Sequence, residues 1–331
     1  MPAEFGTTLL LVAAIAAGAL LGSQSPSAGE ALSAHVDATL LAMISLLFFE
    51  VRLESVLRAF GNLRFIALAW AANFLLVPVI GLLIASLFLS GQKLFLVGLF
   101  IYFMAPCTDW FLGFTRLAGG NTVLGSALIP INMVTQLALY PVYLMLVVPA
   151  QIGLDLGFAA DSLLQWFLTP FLAATVLHHL LRRILPAGWF EALLVLTGRL
   201  IPFVIALLVF EIFAANVATI LAHAPVFAWI LLAVFVFFVA TYWLGEALAR
   251  LFRLAYPEHA LLTMTIAARN APLMLGVTIA ALPDQPLTHA AIIIGMLVEF
   301  PHLTVLRQIL TRGKARPIAP PPVAALPRTS R

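Results

Sequence analysis

The sequence predicts an all-α polytopic membrane protein whose ten transmembrane helices form two inverted five-helix repeats. Three observations lead there. Hydrophobic residues fill 63% of the 331 positions and charged residues only 9%, with a mean hydropathy of +1.10. Soluble domains carry about 25% charge. Apolar runs of membrane-spanning length recur along the whole chain, joined by short polar connections. Two of those runs are interrupted by a proline beside charged residues, at matching places in the two halves.

A span needs roughly 20 mainly apolar residues. Ten runs meet this condition: 7–22, 35–51, 63–89, 93–115, 122–148, 162–181, 198–219, 226–249, 259–282 and 288–308. The first has no basic start of the secretory type, so Thr7–Leu21 is expected as a retained helix. With the N-terminus taken as cytoplasmic, fifteen of the 17 lysines and arginines fall on the inside. Lys93 alone lies outside, and Arg269 falls within a span. That bias predicts cytoplasmic N- and C-termini in a cell (plasma or inner) membrane. The expected organisation is a first repeat at 1–150, a second at 151–315, and a disordered cytoplasmic tail at 316–331. The prolines of that tail, R-P-I-A-P-P-P-V-A-A-L-P, cannot continue a helix.

The function classes narrow in the same way. The pI near 9.4 arises from short loops rather than one basic patch, so the lipid bilayer and not nucleic acid is the expected contact. A single cysteine excludes an internal disulfide and any zinc-type cluster, and no cofactor is expected. There is no H-E-x-x-H or G-x-S-x-G, so the expectation is a transporter and not an enzyme. A membrane sensor would need a soluble output domain, and the short connections leave room for none.

The paired interruptions locate the expected site. Five spans per half put the second half into the membrane from the opposite side. Span four breaks at Ala105-Pro106-Cys107 and span nine at Arg269-Asn270-Ala271-Pro272. A polar residue follows each, Asn132 lying 26 positions after Pro106 and Glu299 lying 27 after Pro272. Interrupted segments in corresponding positions are the sequence mark of a transporter's binding site. A charge inside a span costs from about 2.5 kcal/mol upward. Asp109, Arg269 and Glu299 are therefore expected in the interior, the first two as an ion pair.

Glu299 is the expected reversible proton carrier, with Asp109 as a second coupling group. Cys107 is expected to open a half-helix, where the positive helix end favours a thiolate. A thiolate is a soft ligand suited to trivalent arsenic or antimony. Thr108, Asn132, Asn270 and Arg269 join Cys107 as candidate substrate-binding residues. Asn73 and Glu211 are candidates for lining the pathway. His178-His179, just before Arg182-Arg183, read as an interfacial anchor and not as a metal site.

Several of these segments resemble a known family. A-P-C-T at 105–108, followed by Gly119-Gly120-Asn121 and Asn132, resembles the arsenite-efflux permease family (arsenical resistance), a branch of the bile acid/sodium symporter superfamily. G-M-L-V-E-F-P at 295–301 resembles that family's tenth-helix motif, and N-F-L-L-V-P at 73–78 its third-helix N-W-x-x-x-P. The resemblance implies a core domain and a panel domain, with helices four and nine crossing at unwound centres. It also implies proton-driven antiport of arsenite or antimonite, with the family's functional cysteine at Cys107 and its tenth-helix glutamate at Glu299.

Two departures stand out. Asp109 replaces a small residue, and Arg269-Asn270-Ala271-Pro272-Leu273 replaces the usual S-N-N-F-E. The ninth-helix glutamate-and-glutamine pattern of the sodium-coupled symporters is also missing, which makes protons rather than sodium the expected coupling ion. The alternative is an organic-anion carrier like the bile acid/sodium symporters, with sodium coupling left open, that uses Arg269 as counter-charge. An arginine between the crossing helices can stand in for a bound cation or hold a small anionic substrate.

Overall fold

The computed structural model describes residues 2–50, 61–108, 110–147 and 168–314. Asp109 and the tail from 316 lie outside the described residues. The first part contains α1 (Pro2–Gln24), α2 (Pro26–Ser33), α3 (Val36–Phe49), α4 (Leu63–Ala71) and α5 (Val77–Leu89). A π-helical turn, Ala72–Leu76, joins α4 to α5. Next come α6 (Lys93–Met104), α7 (Trp110–Leu117), α8 (Thr122–Val147), α9 (Thr169–Ile184) and α10 (Ala187–Leu221). The last are α11 (Ala224–Phe252), α12 (Tyr256–Ala267), α13 (Ala271–Ala281), α14 (Pro286–Met296) and α15 (Glu299–Lys314).

This architecture corrects the expected count of ten spans in two inverted five-helix repeats. Among the described residues, six helical stretches are long and apolar enough to cross a membrane: Gly6–Gln24, Leu63–Leu89, Thr122–Val147, Ala187–Leu221, Ala224–Phe252 and Pro286–Arg312. A seventh results if α2 and α3, bent by 48° at their junction, form one span. The physical reason lies in the breaks. The runs 93–115 and 259–282 are long enough and apolar enough overall to read as spans in sequence, but each is cut into half-helices of 8 to 12 residues. At a rise of 1.5 Å per residue, such a half reaches only about 12–18 Å, well short of a bilayer core near 30 Å. The run 162–181 lies partly outside the described residues, and its visible helix, α9, has 16.

The half-helices form the centre. Most residues of α6 and α12, and nearly all of α13 and α14, are buried. Large apolar side chains such as Leu83, Val176, Phe203, Phe235 and Trp243 are exposed on the surrounding helices. A soluble protein rarely exposes so much apolar surface, whereas lipid solvates it. The protein is thus an all-helical, multi-pass membrane protein.

Two packing features follow directly from sequence. The first is a seam of small residues where α1 and α2 lie against α10. Gly18 abuts the Phe210 carbonyl, and Gly22 and Gly29 abut the Ala214 carbonyl, with no room for a β-carbon. Between helices in lipid, such close approach supplies the attraction that apolar burial cannot. The second is the π turn. Pro78 has no N–H to close the helix onto the Phe74 carbonyl, and the Val77 N–H reaches five residues back to Ala72. The Tyr143 hydroxyl donates to the freed Phe74 oxygen at 2.7 Å. The extra residue in this turn carries Asn73 into the buried centre.

The seam gives a direct test. Gly22→Val should separate α1 from α10 at an overpacking cost of about 1–3 kcal/mol, seen as a lower unfolding midpoint and less monodisperse protein in detergent. Gly6→Val, on the same helix where nothing lies within 4 Å, should leave both unchanged.

Candidate functional site

The site is made by two interrupted helices that complete each other. α6 ends at Met104, where Ala105 turns extended (φ −102°, ψ 112°). α12 ends at Ala267, where Ala268 does the same (φ −76°, ψ 137°). The two extended segments meet as an antiparallel bridge centred on Pro106 and Arg269. The Cys107 N–H donates to the Ala268 carbonyl at 3.0 Å, and the Asn270 N–H donates to the Ala105 carbonyl at 2.9 Å. In this register the central pair exchanges no bonds, so its own N–H groups point away from the partner strand. Proline suits one central position because it has no N–H to satisfy. The other central N–H, that of Arg269, donates to Glu299 Oε1 at 2.9 Å.

Side chains reinforce the bridge. Asn270 Nδ2 donates to Thr108 Oγ1 at 3.0 Å. Its Oδ1 accepts from the Leu273 N–H, which makes Asn270 the N-cap of α13, with Pro272 in the first turn. The Cys107 thiol is fully buried (0% exposed) and is not part of a disulfide. It was expected to open the second half-helix, but α7 begins three residues later at Trp110. The Cys107 backbone belongs to the bridge instead.

Arg269 is 0% exposed and Glu299 2%. The guanidinium is held by oxygens of the protein. Nη1 donates to the Phe103 carbonyl at 2.8 Å. Nη2 donates to the carbonyls of Ile266 at 2.8 Å and Thr265 at 3.0 Å, and to Asn73 Oδ1 at 3.4 Å. Nε has no acceptor among the described residues, and the group lies 5.7 Å over the Phe237 ring. Asn73 also donates to Thr265 Oγ1 at 3.2 Å. The expected partner of Arg269, Asp109, lies outside the described residues.

Glu299 starts α15, just after a turn at Leu297–Val298 that parts it from α14. It borders a small cleft with Trp110, Pro272 and Phe300, closed on one side by Thr7 and Leu11 of α1. Asn132 lies on α8 and is fully buried. At one level of α8, Gly125 packs against Leu112 of α7. At another, the Tyr143 ring meets Phe100 of α6 at 5.9 Å. Asn132 and Gln136 fall between these two contacts along α8. Both amide nitrogens and both amide oxygens of this pair lack partners among the described residues. Gln136 escaped the sequence reading because a lone amide in an apolar helix carries no pattern; its i, i+4 spacing from Asn132 was the available signal.

Two expected residues lie elsewhere. Glu211 on α10 accepts from Thr39 of α3 at 3.0 Å and bonds to none of the residues of the bridge. His178 is buried, with Nδ1 at 2.7 Å from the Phe49 carbonyl, so it packs against the end of α3.

The link between the breaks can be measured. Thr108→Val and Asn270→Ala should each lower the unfolding midpoint, the second more because it also removes a helix cap worth about 0.5–2 kcal/mol. In the double variant the losses should fall short of additive by about 0.5–1.5 kcal/mol, the worth of the shared hydrogen bond. Strict additivity would show that the two side chains do not join the segments.

Comparison with known proteins bears on the whole. No curated protein matches the chain. Residues 38–224, from α3 to the start of α11 and including the first break, match the Sodium Bile acid symporter family. With that match covering more than half of the chain, and a broken-helix centre of the kind transporters use, the protein belongs to the sodium bile acid symporter family of membrane transporters.

Proposed function

We propose that the protein is a proton-coupled secondary transporter that exports arsenite or antimonite from the cell by alternating access. The observation that carries this reading is the lone thiol of Cys107, buried in the bridge where the two broken helices meet. Trivalent arsenic and antimony are thiophilic, and sulfur is the soft ligand among the side chains. One thiol holds such a centre reversibly, where three would trap it. Their neutral hydroxides also carry both donors and acceptors, which suits the four open amide atoms of the buried pair Asn132 and Gln136.

Glu299 is the proton carrier in this scheme. Its carboxylate accepts the N–H of Arg269, so protonation weakens the tie between α15 and the second break while neutralising a charge in the membrane interior. A proton is thereby linked to the mobility of the crossing segments. The organic-anion reading requires a guanidinium free to meet a carboxylate. The terminal nitrogens of Arg269 are already given to four protein oxygens, which weighs against it.

Everted membrane vesicles provide the test. Metalloid uptake should follow an imposed pH gradient and ignore a sodium gradient. Cys107→Ala should abolish uptake with protein still in the membrane, and Cys107→Ser should do nearly the same because oxygen is the harder ligand. Uptake that survives Cys107→Ala would remove the thiol from the mechanism and the metalloid with it.

The amide pair makes a second, independent prediction. Gln136→Met replaces an open buried amide with an apolar chain of similar length. It should raise the unfolding midpoint, because an unpaired buried polar group costs about 1–3 kcal/mol. It should also raise the half-saturating metalloid concentration by about tenfold, for a lost bond near 1.4 kcal/mol. A variant that loses stability without losing affinity would make Gln136 a packing residue only.

A further inference from the structure

Cations in broken-helix transporters settle where helices end in unpaired carbonyls. The last carbonyls of a helix have no partner within it, and the aligned peptide dipoles leave that end with about half a negative charge. Two such ends converge in this protein, α6 at Met104 and α12 at Ala267. Their end carbonyls, those of Phe103, Thr265 and Ile266, together with Asn73 Oδ1, form a four-oxygen cluster in the buried centre of the protein. A cluster of this kind is suited to a small monovalent ion.

It is filled by the chain itself. The guanidinium of Arg269 takes all four oxygens at 2.8 to 3.4 Å. Its unit positive charge balances the two helix ends, at about half a charge each. The family to which the chain belongs is described by its use of sodium, yet the donor set here is occupied and charge-matched, so a sodium ion does not fit. We propose that Arg269 is a resident cation: tethered to the second break, it takes the place of the coupling ion of a sodium symporter and makes this transporter independent of sodium.

The chemistry also accounts for the residue type. An arginine is always charged and spreads its donors over a planar fork, which lets one side chain reach carbonyls of two helices at once. A lysine is a point charge with a shorter reach across such a cluster. Because the side chain and the Arg269 N–H arise from one residue, the resident cation is joined through the backbone to Glu299 Oε1. In a symporter the ion leaves with each cycle. Here the positive charge stays, and the Glu299 carboxylate beside it is a group that can change its charge.

The test needs no transported substrate, so its outcome is separable from that of the metalloid reading. Purified full-length protein is unfolded thermally in sodium, potassium and choline chloride at equal ionic strength. The wild-type midpoint should be the same in all three. Arg269→Ala should unfold at a lower temperature and should be restored in part by guanidinium ion at low, non-denaturing concentration. It should also respond to sodium over choline, with a midpoint that climbs with the logarithm of cation concentration as mass action requires.

Arg269→Lys keeps a tethered charge and should remain indifferent to sodium, at a midpoint below wild type. If Arg269→Ala yields no folded protein, the wild-type and Arg269→Lys measurements decide, and indifference of both to sodium supports the proposal. A sodium-specific rise of the wild-type or Arg269→Lys midpoint overturns it. So does a folded Arg269→Ala that responds to no cation.

Discussion

In a bilayer there is no water to receive a backbone polar group, so every interrupted helix must find partners inside the protein. That requirement governs this structure. Two helices stop in mid-membrane, and each hands its stranded groups to the other: the Cys107 N–H to Ala268, the Asn270 N–H to Ala105. What the bridge leaves open is taken by side chains from further away. Glu299 receives the Arg269 N–H, and the Arg269 guanidinium receives the ends of α6 and α12. The same logic recurs at the π turn, where Pro78 frees a carbonyl and Tyr143 supplies the missing donor. The irregular backbone that a binding site needs is present because each irregularity is answered.

The breaks themselves were legible because proline announces them. Pro106 and Pro272 lie among charged and polar residues in otherwise apolar runs, and in the structure both mark real interruptions. The number of membrane-length helices was not legible in the same way. Hydropathy sums across a break as though the chain ran straight, so 93–115 and 259–282 read as full spans when each is two short halves. Composition identified the membrane; it did not identify where the chain stops being a helix.

Within the site, the sequence revealed charges and concealed carbonyls. Arg269 is conspicuous in an apolar stretch, and the natural expectation is an acidic partner. Its terminal nitrogens meet three main-chain oxygens and one amide, groups that any sequence carries and none advertises. Asn73 joins this cluster from within the π turn, an irregularity that Pro78, five positions later, favours. Glu211 shows the reverse case: an intramembrane acid that drew attention in the sequence and is bonded to Thr39 of α3, apart from the bridge.

The bridge also sets a timetable for biosynthesis. Its two strands are separated by some 160 residues of chain, so the first must be made and inserted long before the second exists. At about 5–20 residues per second, that interval is roughly ten to thirty seconds. Throughout it, the Ala105 carbonyl and the Cys107 N–H lack the partners they have in the finished fold, and a backbone group without a partner is costly in a bilayer. The first break is thus a segment whose polar groups are satisfied only once the C-terminal half of the chain has been made.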